Sequence, residues 1–166
     1  MDFKAFIIDP KDAKRILIGA GGNLSPMEFA QGLVAIVAAG FVMQILGIVL
    51  GAALALVWGL ISLIIGLGLA FAWVCIFSKR FHDAGQSGWM TLAAIGVAVV
   101  LYFIVGLILN PIFPAPSITS LGDMGSIQSM QTSMALRGMI TTLIVNGALG
   151  FYMFRLATAA AAPAEE

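Results

Sequence analysis

The sequence predicts an all-α membrane protein: a four-transmembrane-helix bundle with an interfacial N-terminal helix. Two observations lead there. Residues 29–77 form a run of 49 residues with no charged side chain and only Gln31, Gln44 and Ser62 as polar ones. A helical crossing needs about 20 apolar residues at about 1.5 Å rise each, so this run is long enough to cross twice. The chain as a whole is 61% hydrophobic and 10% charged, with a mean hydropathy of +1.06. A soluble fold of 166 residues would lack the polar surface that keeps globular domains in solution.

The N-terminal segment, residues 1–22, reads as a helix lying on the membrane. Asp9 is placed to cap it, Pro10 suits its first turn, and Gly19, Gly21 and Gly22 end it. Lys11, Lys14 and Arg15 would then face lipid headgroups, or serve simply as a topology anchor. Because the first long apolar run begins only at Phe29, no cleavable signal peptide is expected.

The transmembrane domain is expected over residues 23–156, with spans at about 29–49, 54–77, 89–110 and 136–156. Span one opens with Ser25, Pro26 and Glu28, the residue types of a capping box with proline in the first turn. The long run must turn back near residues 46–53, where Gly47 and Gly51 relax the backbone. Gly47, Gly51, Ala55 and Gly59 would form a close-packing face if that stretch were continuous helix. Span three ends at Asn110 and Pro111. Beyond it Leu121, Met124, Ile127, Met130 and Met134 recur at near-helical spacing. That spacing suggests a short amphipathic helix on the outer surface, or a Met-rich face for a partner or a metal. The Ala-rich tail, residues 157–166, is expected to be disordered.

Charge orients the bundle. With four spans, Lys4, Lys11, Lys14, Arg15, Lys79, Arg80 and Arg155 all fall on one side, leaving Arg137 alone among the eight basic residues on the other. Basic loops stay cytoplasmic, so both termini are expected inside, with Trp73, Trp89 and Tyr152 near that interface and Trp58 near the opposite one. No large basic patch exists, which disfavours nucleic-acid binding. Cys75 reads as a small buried hydrophobe. One His, one Cys and few carboxylates supply no zinc or di-metal ligand set, and Gly19 to Gly22 lack the spacing of a dinucleotide site, so no metal or cofactor is expected.

The chemistry-bearing residues gather where spans two and three join, from Lys79 to Trp89. His82, Asp83 and Ser87 are the residue types of a nucleophilic triad, but neighbouring side chains in a tight loop rarely align as one. Structural roles are available to each residue. Lys79 and Arg80 complement the dipole at the end of their own span, Asp83 and Gly85 turn the chain, Ser87 caps the next span and Trp89 anchors it. Glu28 is expected to pair with Arg80 or His82, making one cytoplasmic-interface cluster of Glu28, Arg80, His82, Asp83, Ser87 and Trp89. Gln44 and Asn146, the amides deepest in the spans, suggest interhelical hydrogen bonds or a polar pathway.

Arg80, His82, Asp83, Gly85, Ser87, Gly88 and Trp89 spell Arg-x-His-Asp-x-Gly-x-Ser-Gly-Trp. This resembles the motif of a bacterial inner-membrane family of unknown function, number eight hundred and five in its naming series and typified by YhaH and YhaI. Gly22, Ser25, Glu28 and Phe29 resemble that family's second signature, Gly-Arg-x-Ser-Arg-Arg-Glu-Phe-Trp. Asn23, Pro26, Met27 and Ala30 stand where the signature has Arg, Arg, Arg and Trp, which removes positive charge. The resemblance covers residues 23–110 and implies a multi-pass inner-membrane location without supplying an activity. Three readings of function follow. The first is a non-catalytic module that binds membrane lipid, a protein partner or a second copy through the motif. The others are a small-solute or lipid transporter or pore, and an interfacial enzyme using His82 with Asp83.

Overall fold

The computed structural model describes residues 7–18, 22–50, 54–113 and 124–156. Five helices account for most of them: α1 (Pro10–Leu17), α2 (Pro26–Leu50), α3 (Ala55–Asp83), α4 (Met90–Leu109) and α5 (Met124–Arg155). The last four are each long and apolar enough to cross a membrane. The chain is therefore an all-α, multi-pass membrane bundle with a short N-terminal helix. The tail 157–166 lies outside the described residues.

Local sequence explains where the helices start. Asp9 Oδ1 accepts from the Lys11 amide at 2.9 Å and Pro10 takes the first helical position, as the sequence predicts. Ser25 and Glu28 form a full capping box. The Glu28 carboxylate accepts from the Ser25 amide at 3.0 Å and from its hydroxyl at 2.8 Å, and the Glu28 amide donates back to Ser25 Oγ at 3.3 Å.

Three boundaries differ from expectation. Helix α3 runs on to Asp83, so Lys79, Arg80, His82 and Asp83 belong to its last turns, where the sequence suggests a loop. Helix α5 begins at Met124 and continues into the fourth span, so residues 124–134 belong to that long helix rather than to a separate surface one. The apolar spacing expected of a surface helix is there read as the first turns of a longer one. Leu121 and the side chains of Met124, Ile127 and Met130 lie outside the described residues. Gly47 is helical, and a Cβ there would sit 3.1 Å from the Trp58 indole nitrogen. Its value is to let Trp58 lie close, while the chain turns between Leu50 and Ala55; residues 51–53 of that turn are not described.

The four long helices pack as a ring in which α2 lies on α3 and α5, and α4 on α5 and α3, while α1 lies across α2 and α3. Gly32 permits this last contact, since a Cβ on it would come 2.9 Å from Ile16 Cγ2 and 3.3 Å from Ile76 Cγ2. The tightest packing sits at the end that holds α1. Ile16, Leu24, Phe29, Ile76, Phe77 and Met153 are all at or below 1% exposure there. Phe77 meets Phe29 edge-on at 5.1 Å and stacks on Trp73 at 3.8 Å. Away from that end, α3 from Val57 to Ala70 has no fully buried side chain, and Ile64 and Leu67 are 70% and 64% exposed. Such outward apolar surface suits hydrocarbon as its solvent.

Candidate functional site at the motif end of the bundle

The end of α3 joins three other elements through two neighbouring cations. Lys79 is 3% exposed and its ammonium donates to the carbonyls of Arg15, Ile16 (3.1 Å) and Ile18 (3.3 Å). These are carbonyls at the C-terminal end of α1, which have no partner within their own helix. Arg80 is wholly buried. Its Nε donates to Met153 O at 3.0 Å and another nitrogen to Leu156 O, at the C-terminal end of α5, while the third pairs with Asp83. A cation at a helix C-terminus also meets the negative end of the dipole. The sequence assigns Lys79 and Arg80 to their own helix; in the structure they cap two other helices. Because one pair of neighbouring residues reaches both α1 and the end of α5, the two ends of the described chain lie on the same side of the bundle. Arg137 acts alike at the opposite side, donating to Gly106 O at 2.8 Å and Asn110 Oδ1 at 3.2 Å as α4 ends.

Glu28 does not take Arg80 or His82 as its salt-bridge partner. Its carboxylate pairs with Arg15 of α1, which also approaches Asp12 at 3.6 Å. Hydrogen bonding to Glu28 holds the Arg15 guanidinium protonated more firmly than usual. The reason is α1 itself: docked by Lys79 and Ile16, it places Arg15 beside Glu28, while Arg80 is turned inward to Met153, Leu156 and Asp83. Of the three basic residues assigned to headgroups, Arg15 is thus engaged, while Lys11 and Lys14 stay exposed.

The chain leaves α3 through a Schellman motif. Gln86 N donates to Phe81 O and Gly85 N to His82 O, both at 2.9 Å, with Gly85 at φ +70°. Ser87 lies ahead of α4 and its hydroxyl accepts from the Trp89 amide at only 3.4 Å, a weak cap; Trp89 is 78% exposed. A Cβ on Gly88 would fall 2.9 Å from His82 Nε2 and 3.2 Å from Ser78 Oγ, so glycine lets this backbone lie against the imidazole.

Beside it opens a cleft of about 470 Å³ between α3 and α4. Its mouth carries Ser78, His82, Ser87 and Trp89, and its walls Val74, Leu92 and Ile95. Thr91 also lines it, 4% exposed, with a hydroxyl that has no hydrogen-bond partner among the described residues. Asp83 is directed to Arg80, and as the residue after His82 on one helix it is rotated about 100° from it, so a His82–Asp83–Ser87 triad is not assembled. Sequence reasoning passed over Ser78 and Thr91. The signal was there in helical spacing, since Ser78 and His82 are four residues apart on one face.

Deeper in the bundle, Asn146 joins three helices. Its Oδ1 accepts from Trp73 Nε1 at 2.9 Å, and its Nδ2 donates to Tyr102 OH at 3.2 Å and Thr142 O at 2.9 Å. Trp73, expected at the interface, is therefore turned inward to satisfy this amide. Gln44 Oε1 lies 2.8 Å from where a Cβ on Gly138 would stand. Among the described residues no three His, Cys, Asp or Glu side chains gather as a metal site needs. No protein-family model, curated protein or solved structure matches this chain.

Proposed function

We propose that the chain is a non-catalytic module of the bacterial inner membrane, both termini cytoplasmic, which binds the headgroup of a membrane lipid in the cleft beside His82. The observation that carries this reading is the cleft itself, polar at its mouth and apolar along its walls, at the level where the spans end. Such a gradient suits an amphiphile rather than a soluble solute. The resemblance of the Arg80 to Trp89 motif to the inner-membrane family favours the location, and the bias of basic residues toward the α1 side favours the orientation.

The motif's charges support binding over catalysis. Lys79 and Arg80 are committed to helix ends and Asp83 to Arg80, leaving His82 without an orienting carboxylate among the described residues. Coupled transport would want ionisable groups at mid-bilayer, and the polar groups that line the interior are Trp73, Tyr102, Thr142 and Asn146.

The test is native mass spectrometry of detergent-purified protein with added phosphatidylethanolamine, comparing wild type with His82→Ala after confirming equal unfolding temperatures. A retained lipid adduct that is lost in His82→Ala supports the reading. Absence of any adduct overturns it, as does a lipid-free dimer abolished by His82→Ala, which would make the cleft a seat for a second copy.

A further inference from the structure

The cleft beside His82 has a neighbour deeper in the bundle. Val74 and Ile95 also line a second cavity, of about 450 Å³, that continues between α3 and α4 toward the middle of the bundle. All four spans contribute to it, and its surface is apolar apart from the Asn146 network. The two spaces adjoin at Val74 and Ile95, one with a polar mouth at Ser78 and His82, the other an apolar bore that reaches Leu69 on α3 and Tyr102 on α4.

We infer that the bore holds one acyl chain of a lipid from the leaflet at the motif end, and that the depth of the bore selects chain length. This rests on the headgroup reading of the cleft. Four observations favour a lipid with one chain in the bore as the occupant. From His82 to Leu69 is 13 residues of helix, about 20 Å of depth, which is one leaflet of hydrocarbon plus part of the headgroup layer. The mouth offers hydroxyls and an imidazole but no Lys, Arg, Asp or Glu among its lining residues, which matches a zwitterionic or uncharged head. The Thr91 hydroxyl, buried against the cleft and without a partner among the described residues, lacks what a headgroup or ester oxygen supplies. At the deep end Tyr102 OH and Thr142 Oγ1 approach to 3.5 Å, a polar floor that an alkyl chain gains nothing by passing.

Gly40 gives the chain-length test. It lines the deep part of the bore, and a Cβ built on it meets nothing within 4 Å, so a leucine there enters open space. Detergent-purified wild type, Gly40→Leu and His82→Ala, matched for unfolding temperature, are offered an equal mixture of short-chain and long-chain phosphatidylethanolamines and read by native mass spectrometry. Gly40→Leu should shift the retained lipid toward short chains by about tenfold or more, as lost methylene sites do. His82→Ala should lose both chain lengths alike. A second measurement does not depend on Gly40→Leu folding. In a Trp58→Phe, Trp89→Phe variant first shown by native mass spectrometry to retain the lipid, one equivalent of lipid brominated near mid-chain should quench the emission of Trp73, which lies about 13 Å below His82 along α3. If the lipid binds and depends on His82 but Trp73 is unquenched and Gly40→Leu keeps the wild-type chain preference, the chain lies outside the bundle; the inference falls and the headgroup reading stands. If no lipid is retained by wild type, both fall.

Discussion

Replacing Lys79 by Met separates α1 from the bundle without touching the spans. The ammonium places its three donors on the carbonyls of Arg15, Ile16 and Ile18, each on the C-terminal end of an eight-residue helix. Hydrogen bonds from a charged group are worth about 1.5–3 kcal/mol each, so the three sum to roughly 5–9 kcal/mol before any offset. Burying the ammonium costs several kcal/mol, which methionine does not incur. The net loss is then about 2–4 kcal/mol. A helix this short is not stable in isolation, so undocking and unfolding of α1 are one event. Amide hydrogen exchange of residues 13–18 in detergent reads it directly, because protection there reports the local opening equilibrium. A loss of about 3 kcal/mol means roughly a hundredfold faster exchange in α1, with α3 and α5 unchanged. Glu28→Gln is the control. It removes only the Arg15 pair, half of which is solvent-exposed, and pairs of that kind are worth about 0–1 kcal/mol. If α1 exchanges in Lys79→Met as slowly as in wild type, burial of Ile16 against Gly32 and Ile76 alone holds the helix and the capping argument is wrong.

Arg80→Met should cost more than Lys79→Met in global stability, about 3–5 kcal/mol, because it breaks a buried ion pair and uncaps α5; thermal unfolding in detergent measures it. Asn146→Leu removes hydrogen bonds to Trp73 and Tyr102, and at about 0.6 kcal/mol per interhelical bond it should lower stability by roughly 1–2 kcal/mol and shift Trp73 fluorescence. Gly150→Ala forces a Cβ into overlap with Leu33 Cδ2 and should destabilise by about 1–3 kcal/mol, with Leu33→Ala restoring part of the loss in the double variant.

The parts of this protein that were legible in its sequence are those whose partners are close along the chain. The Ser25–Glu28 box, the Asp9 cap with Pro10, and the turn at Gly85 each involve residues within five positions, and local backbone geometry fixes such contacts whatever the rest of the fold does. Spans were legible for a different reason. Hydrocarbon imposes a length and an apolarity that few other solvents do, so a 49-residue uncharged run has little choice but to cross and return.

Residue type alone also misled in a consistent direction. A cation near a helix end was assigned to that helix, a tryptophan near the interface to the headgroups, and a carboxylate to the basic residues of the motif. For the cations and the tryptophan the expected partner is the nearest one in sequence, whereas Lys79 is bonded 61 to 64 residues away and Trp73 reaches Asn146, 73 positions on; Glu28 errs the other way, since its expected partners lie in the motif and its actual one, Arg15, is only 13 positions off. A buried polar atom takes whichever partner packing delivers, because leaving it unpaired costs more than any preference between partners. The sequence by itself thus determined the membrane class, the four spans and their local caps. Only the tertiary structure decided which helix ends Lys79, Arg80 and Arg137 close, that Glu28 meets Arg15, and that a second cavity adjoins the cleft beside His82, since contacts between distant segments depend on helix packing that no local spacing encodes.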